Sequence, residues 1–165
     1  LLPHAFPTVG AYASGVLYAT RDRATEALPR GATYHVAVSG SAEVPPLALQ
    51  VEAPDAPAEP RVDGADLREL GSLRGGRPLE VEWTPGDPSD LVFVELLSLD
   101  GQLNLVCSFP DEAGAGTVPA ITGPASGAAR IALHRVRTRR FAEGAARVSE
   151  VRFDFSVGRT VDLSR

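Results

Sequence analysis

The chain has 165 residues, 44% hydrophobic and 22% charged, enough for one ordinary domain with a true core or two very small ones. No apolar run approaches the ~18 residues of a membrane-spanning helix, and the composition is not that of a disordered tail. A formal charge of −5 leaves no basic field for non-specific nucleic-acid binding, and one cysteine makes neither an internal disulfide nor a thiolate zinc site. All 16 residues of the Lys and Arg class are arginine. That reads as the codon bias of a GC-rich bacterial genome rather than as an arginine-rich binding motif. The chain opens Leu1-Leu2-Pro3, so a targeting segment is expected to have been removed or never included.

Apolar residues alternate with polar ones almost throughout, which predicts strands over 12–20, 33–39, 47–52, 79–84, 91–99, 103–109, 117–121, 130–138 and 148–157. Short helices are expected only at 22–28 and 65–70. Turn clusters such as Pro29-Arg30-Gly31, Gly75-Gly76-Arg77-Pro78 and Pro85-Gly86-Asp87-Pro88 separate the strands. Many short strands with this punctuation give an all-β sandwich or barrel. One internal boundary is conceivable, the proline-spaced stretch at 53–60, with N-terminal strands over 1–52 and a complete sandwich over 61–165. Three strands alone bury little, so the whole of 1–165 is expected to pack as a single unit.

Asp100-Gly101 lies between two apolar runs, as a two-residue type I′ hairpin turn requires. Facing residues then have numbers that sum to 201. One face pairs Val92 with Phe109, Val94 with Cys107 and Leu96 with Leu105, and the opposite face is mixed. Leu79, Val81 and Trp83 alternate with Glu80 and Glu82, a strand with one buried and one acidic face, and the only tryptophan is the natural centre of the core.

The stretch Leu79-Glu80-Val81-Glu82-Trp83-Thr84-Pro85, followed by Leu91-Val92-Phe93-Val94-Glu95, resembles the second and third strands of fibronectin type III and related immunoglobulin-like domains. The resemblance implies an antiparallel β-sandwich of that kind with extra N-terminal strands. A wider likeness takes in 31–54, the Trp83 strand, Val106-Cys107-Ser108-Phe109-Pro110-Asp111 and Gly116-Thr117-Val118-Pro119-Ala120. These segments resemble β-rich domains of bacterial envelope proteins and lipoproteins, which implies a periplasmic, cell-surface or extracellular location and carries no activity with it.

Residues able to carry chemistry are few and scattered. Ser39-Gly40-Ser41 lacks the following helix of a nucleophile elbow. Cys107 falls on the apolar hairpin face, which suits a buried thiol. His4, His35 and His134 form no metal-ligand pair at close spacing. Asp87 with Asp90, and Asp63 with Asp66, sit in loops that suit either calcium or simple turn capping. Ala113-Gly114-Ala115-Gly116 precedes a strand rather than a helix and reads as a flexible turn, not a phosphate loop. Arg135, Arg137, Arg139 and Arg140 cluster near the last hairpin and offer a candidate partner face for an anionic group, against the alternative of a salt-bridged sheet face. The expectation is a non-catalytic binding or structural module without metal or cofactor, whose partner is another envelope protein. The competing expectation is a carbohydrate-binding or hydrolytic β-sandwich.

Overall fold

The computed structural model describes residues 2–5, 16–19, 28–39, 46–122, 126–143 and 146–164. The strand expected at 12–20 is therefore visible only at 16–19, and most of the helix expected at 22–28 and of the Ser39-Gly40-Ser41 turn lies outside the described residues. Among the described residues the protein is all-β, with thirteen strands and one 3-10 turn at Asp111–Ala113. The strands are β1 (Leu2–Ala5), β2 (Val16–Ala19), β3 (Thr33–Val38), β4 (Leu47–Glu52), β5 (Ala58–Val62), β6 (Ala65–Asp66) and β7 (Ser72–Arg74). They continue with β8 (Leu79–Thr84), β9 (Leu91–Ser98), β10 (Asn104–Pro110), β11 (Ala115–Val118), β12 (Gly127–Glu143) and β13 (Ala146–Ser164).

Two larger sheets form the body, one ordered β10-β9-β12-β13-β7 and the other β11-β8-β5-β6, while β1-β2 and β3-β4 are separate two-stranded sheets. All pairings are antiparallel except that of β7 with β13. The period-two pattern explains where the core lies. Leu79, Val81 and Trp83 of β8 meet Val92, Val94 and Leu96 of β9, Ile131 and Leu133 of β12, and Val161 and Leu163 of β13 in one buried cluster. The Trp83 indole N–H donates to the carbonyl of Asp111 at 3.0 Å, and its ring lies 6.1 Å from that of Phe109.

Three local expectations change. Residues 65–70 are not helical: Ala65–Asp66 pairs with β5, and Leu67 N–H donates to Pro60 at 2.8 Å. The Asp66 carboxylate takes the Arg68 N–H at 2.8 Å, a local bond that competes with helix formation. The strand expected at 117–121 is Ala115–Val118, so Ala115 and Gly116 pair with β8 instead of forming a flexible turn. A Cβ on Gly116 would stand 2.5 Å from the Phe109 ring, so this strand approaches β10 only because the residue is glycine.

The β9–β10 register has the expected sum of 201, from Asn104 opposite Leu97 to Pro110 opposite Leu91. The turn that sets it is wider than two residues. Ser98 N–H donates to Leu103 O at 3.0 Å and Gly101 N–H to Ser98 O at 3.0 Å, and only Gly101 takes a left-handed φ, of 74°. The Asp100 carboxylate accepts from the Ser98 hydroxyl at 2.6 Å and from Gln102 N–H at 3.0 Å, which holds Asp100 out of the left-handed region that a type I′ turn demands.

Candidate functional site

The register of β9 and β10 carries past the strand ends to bring Asp90 and Asp111 side by side, with Asp111 N–H donating to Asp90 O at 3.1 Å. Both are fully buried. β12 lies on the other side of β9 with Arg135 opposite Val92, which puts Arg137 level with Asp90. On β12 the inward positions Ile131 and Leu133 are followed, two residues at a time, by Arg135 and Arg137, which are only 5% and 8% exposed.

Arg137 grips Asp90 with two parallel bonds, Nε to Oδ1 and Nη2 to Oδ2, both 2.8 Å. Its Nη1 donates to Glu52 O at 3.4 Å, and Asp87 Oδ2 lies 3.6 Å from Nη2. The hydrogen bonds to Asp90, first among the causes, hold the Arg137 pKa above its ordinary value. Arg135 donates through Nη2 to Asp111 Oδ1 at 3.0 Å and to Thr84 O at 2.7 Å, and through Nη1 to Ala56 O at 3.3 Å. Its Nε stands 2.9 Å from Asp111 Oδ2, a close charge contact that is bent away from hydrogen-bond alignment. Gly86 covers this pair: a Cβ there would stand 2.3 Å from Asp111 Oδ2 and 3.0 Å from Arg135 Cζ.

The four arginines expected to form one partner face are thus divided. Arg135 and Arg137 point inward and tie β9, β12 and the carbonyls of Glu52, Ala56 and Thr84 together. Arg139 is exposed, with its guanidinium 3.8 Å from Asp87 and 3.3 Å from the Ser89 hydroxyl. Arg140, next in the strand and so on the opposite face, stands 3.8 Å from Glu150. The acidic loops are occupied locally. Asp87 accepts from the Ser89 hydroxyl at 2.6 Å and its amide at 2.8 Å, bonds that hold its pKa below the usual carboxylate value, and Asp63 is paired with Arg77 at 2.6 Å. Among the described residues no group of three or more His, Cys, Asp and Glu side chains is placed to hold a metal ion.

A second polar cluster lies on the outer face of the five-stranded sheet. His134 Nδ1 is 2.8 Å from Asp154 Oδ1, and Nε2 is 3.7 Å from Glu95 Oε2. With Phe93, Val106 and Arg152 these residues line a shallow depression of about 230 Å³. Asp154 orients the ring so that the other nitrogen faces Glu95. Odd-numbered positions of β9 and even-numbered positions of β10, β12 and β13 share this face, so parity along the strands was the signal in the sequence. His35 is exposed on β3, and the side chain of His4 is outside the described residues. Cys107 is half-buried opposite Val94, and burial pushes its thiol pKa up, which disfavours the thiolate. No helix among the described residues is long and apolar enough to cross a membrane. Compared with known families and curated protein sequences, the chain matches no family model and none of those sequences.

Proposed function

We propose that the chain is a non-catalytic binding or structural module exported to a bacterial envelope, docking on another envelope protein of acidic surface. The observation that carries the docking reading is the β12–β13 ribbon. β12 pairs with β9 only as far as Val136, but with β13 as far as Glu143, so the ribbon runs on beyond the five-stranded sheet with Arg139 and Arg140 exposed on its two faces. On a chain of charge −5 these guanidinium groups offer forked donors suited to carboxylates. The envelope location is supported by the sequence resemblance described above.

An immunoglobulin-like sandwich over residues 58–164 is part of this reading. It is supported by strand order: β13-β12-β9-β10 follows the G-F-C-C′ order of such domains, and β5-β8-β11 follows A-B-E. The absence of a catalytic role is supported by the use made of the buried charges, since the Nη groups of Arg135 and the Nε and Nη groups of Arg137 donate to Asp90, Asp111 and backbone carbonyls.

The test is the double variant Arg139→Gln/Arg140→Gln. Its melting temperature should stay within about 3 °C of the parent, because exposed ion pairs contribute under about 1 kcal/mol. Recovery of the cross-linked partner from an envelope fraction should fall, and the remaining recovery should depend less on salt. Undiminished recovery would remove the ribbon from the interface.

A further inference from the structure

β10 (Asn104–Pro110) ends the five-stranded sheet, and among the described residues no strand pairs with its outer edge. The bond from Ser98 N–H to Leu103 O fixes which groups face outward. Leu105, Cys107 and Phe109 direct their N–H and C=O toward β9, whereas Asn104, Val106 and Ser108 direct theirs away from it. Pro110 falls at the next outward position, where its missing N–H costs no bond to β9. Free edges are ordinarily blunted by charges, bulges or proline; no residue of β10 is charged, its pairing with β9 is unbroken, and its one proline, Pro110, stands at its end and leaves 104–108 open. Val106, on this edge, is 55% exposed. Three of the four large exposed hydrophobics among the described residues, Leu91, Leu99 and Val106, belong to the β9–β10 hairpin.

We propose that β10 pairs antiparallel with β10 of a second copy of this chain, across a two-fold axis at Val106, joining the two five-stranded sheets. This goes beyond the docking reading and does not depend on it. Centring on Val106 sets Asn104 opposite Ser108 of the second copy, so every outward N–H of Asn104, Val106 and Ser108 meets an outward C=O. Centring one residue later sets Asn104 opposite Pro110, which has no N–H to give. Centring one residue earlier sets Ser108 opposite Gln102, which precedes the strand. On the exposed face Val106 meets its own copy and the Asn104 amide meets the Ser108 hydroxyl, with no like charges opposed. The edge is thus complementary to itself, as a two-fold contact requires.

Sedimentation of the full chain over a range of concentrations tests the proposal, and a dimer is expected. Val106→Lys sets two ammonium groups opposite each other, and Ser108→Pro removes an outward N–H that β9 does not use. Each should raise the dimer Kd by about tenfold or more while circular dichroism and Trp83 fluorescence stay unchanged. Should the lysine variant misfold, the proline variant decides. For register, in a Cys107→Ser background, Val106→Cys should form an intermolecular disulfide on mild oxidation, its Cα atoms lying about 5.5 Å apart. Ser108→Cys should not, since its two copies would be about 13 Å apart. A monomer at every concentration, a dimer indifferent to the edge variants, or linkage through Ser108→Cys instead of Val106→Cys would overturn the proposal.

Discussion

Asp90 and Asp111 stand side by side and buried, where two carboxylates repel strongly unless cations are fixed beside them. Arg137 and Arg135 supply those cations, and the arrangement could be read in the sequence by parity. Ile131 and Leu133 mark the odd positions of β12 as inward, which places Arg135 and Arg137 inward too, and the hairpin sum of 201 sets Asp90 against Asp111. Charge proximity along the chain suggests one four-arginine surface, whereas side-chain direction carried from the apolar half of the strand into its charged half turns Arg135 and Arg137 inward. Removing one partner of such a pair strands the other. Asp111→Ala should therefore lower the unfolding free energy by about 3–5 kcal/mol in urea titration, against under about 1 kcal/mol for Arg139→Ala. Gly86→Ala, which forces a methyl against the same pair, should cost about 1–3 kcal/mol. A neutral result for Asp111→Ala would mean that water reaches the guanidinium.

At the scale of the element, the β9–β10 hairpin shows register and turn type being set by different things. Register follows from burying Val92, Val94 and Leu96, since a slip of one residue would turn all three to solvent. Turn type follows from the contacts of the Asp100 side chain, which the Asp-Gly dipeptide alone does not specify. The hydrogen bonds from the Ser98 hydroxyl and then from Gln102 N–H hold the Asp100 pKa below its ordinary 3.8. With the folded value depressed, ionised Asp100 stabilises the hairpin above pH 3.8, and that stabilisation is lost as pH falls through the lower folded value. The stability difference between the parent and Asp100→Asn should accordingly be constant near neutrality and shrink as the pH is taken below 3.8, followed by urea titration at each pH. A difference that grows on acidification would show that the loop does not favour the carboxylate.

For the whole molecule, the proline-spaced stretch read in sequence as the one conceivable boundary is a packed strap. Composition alone predicts an extended connection and does not say what covers it, because the covering residues lie far away in the chain. Ala53 is 1% and Ala56 8% exposed, with Pro54 and Pro57 buried beside them. Ala53 N–H donates to Ala32 O at 2.9 Å, and the flanking Glu52 and Ala56 carbonyls accept from Arg137 and Arg135. Tyr34 of β3 lies 5.1 Å, ring to ring, from Phe153 of β13. The β3–β4 hairpin and the strap that follows it are therefore held to the five-stranded sheet through the same two arginines that neutralise the buried aspartates, Arg137 at Glu52 and Arg135 at Ala56, and unfolding either part should expose the charges of the other. Thermal unfolding should then be a single transition, with Trp83 fluorescence and far-UV circular dichroism coinciding. Ala53→Arg, which drives a bulky cation into the strap beside Arg137, should move both probes down together by about 6–12 °C, as a loss of about 3 kcal/mol in a chain of this length would. Two separated transitions, or a variant that leaves the Trp83 signal where it was, would mean that the β3–β4 hairpin and the sheets fold independently and that the arginine contacts to Glu52 and Ala56 add little to holding them together.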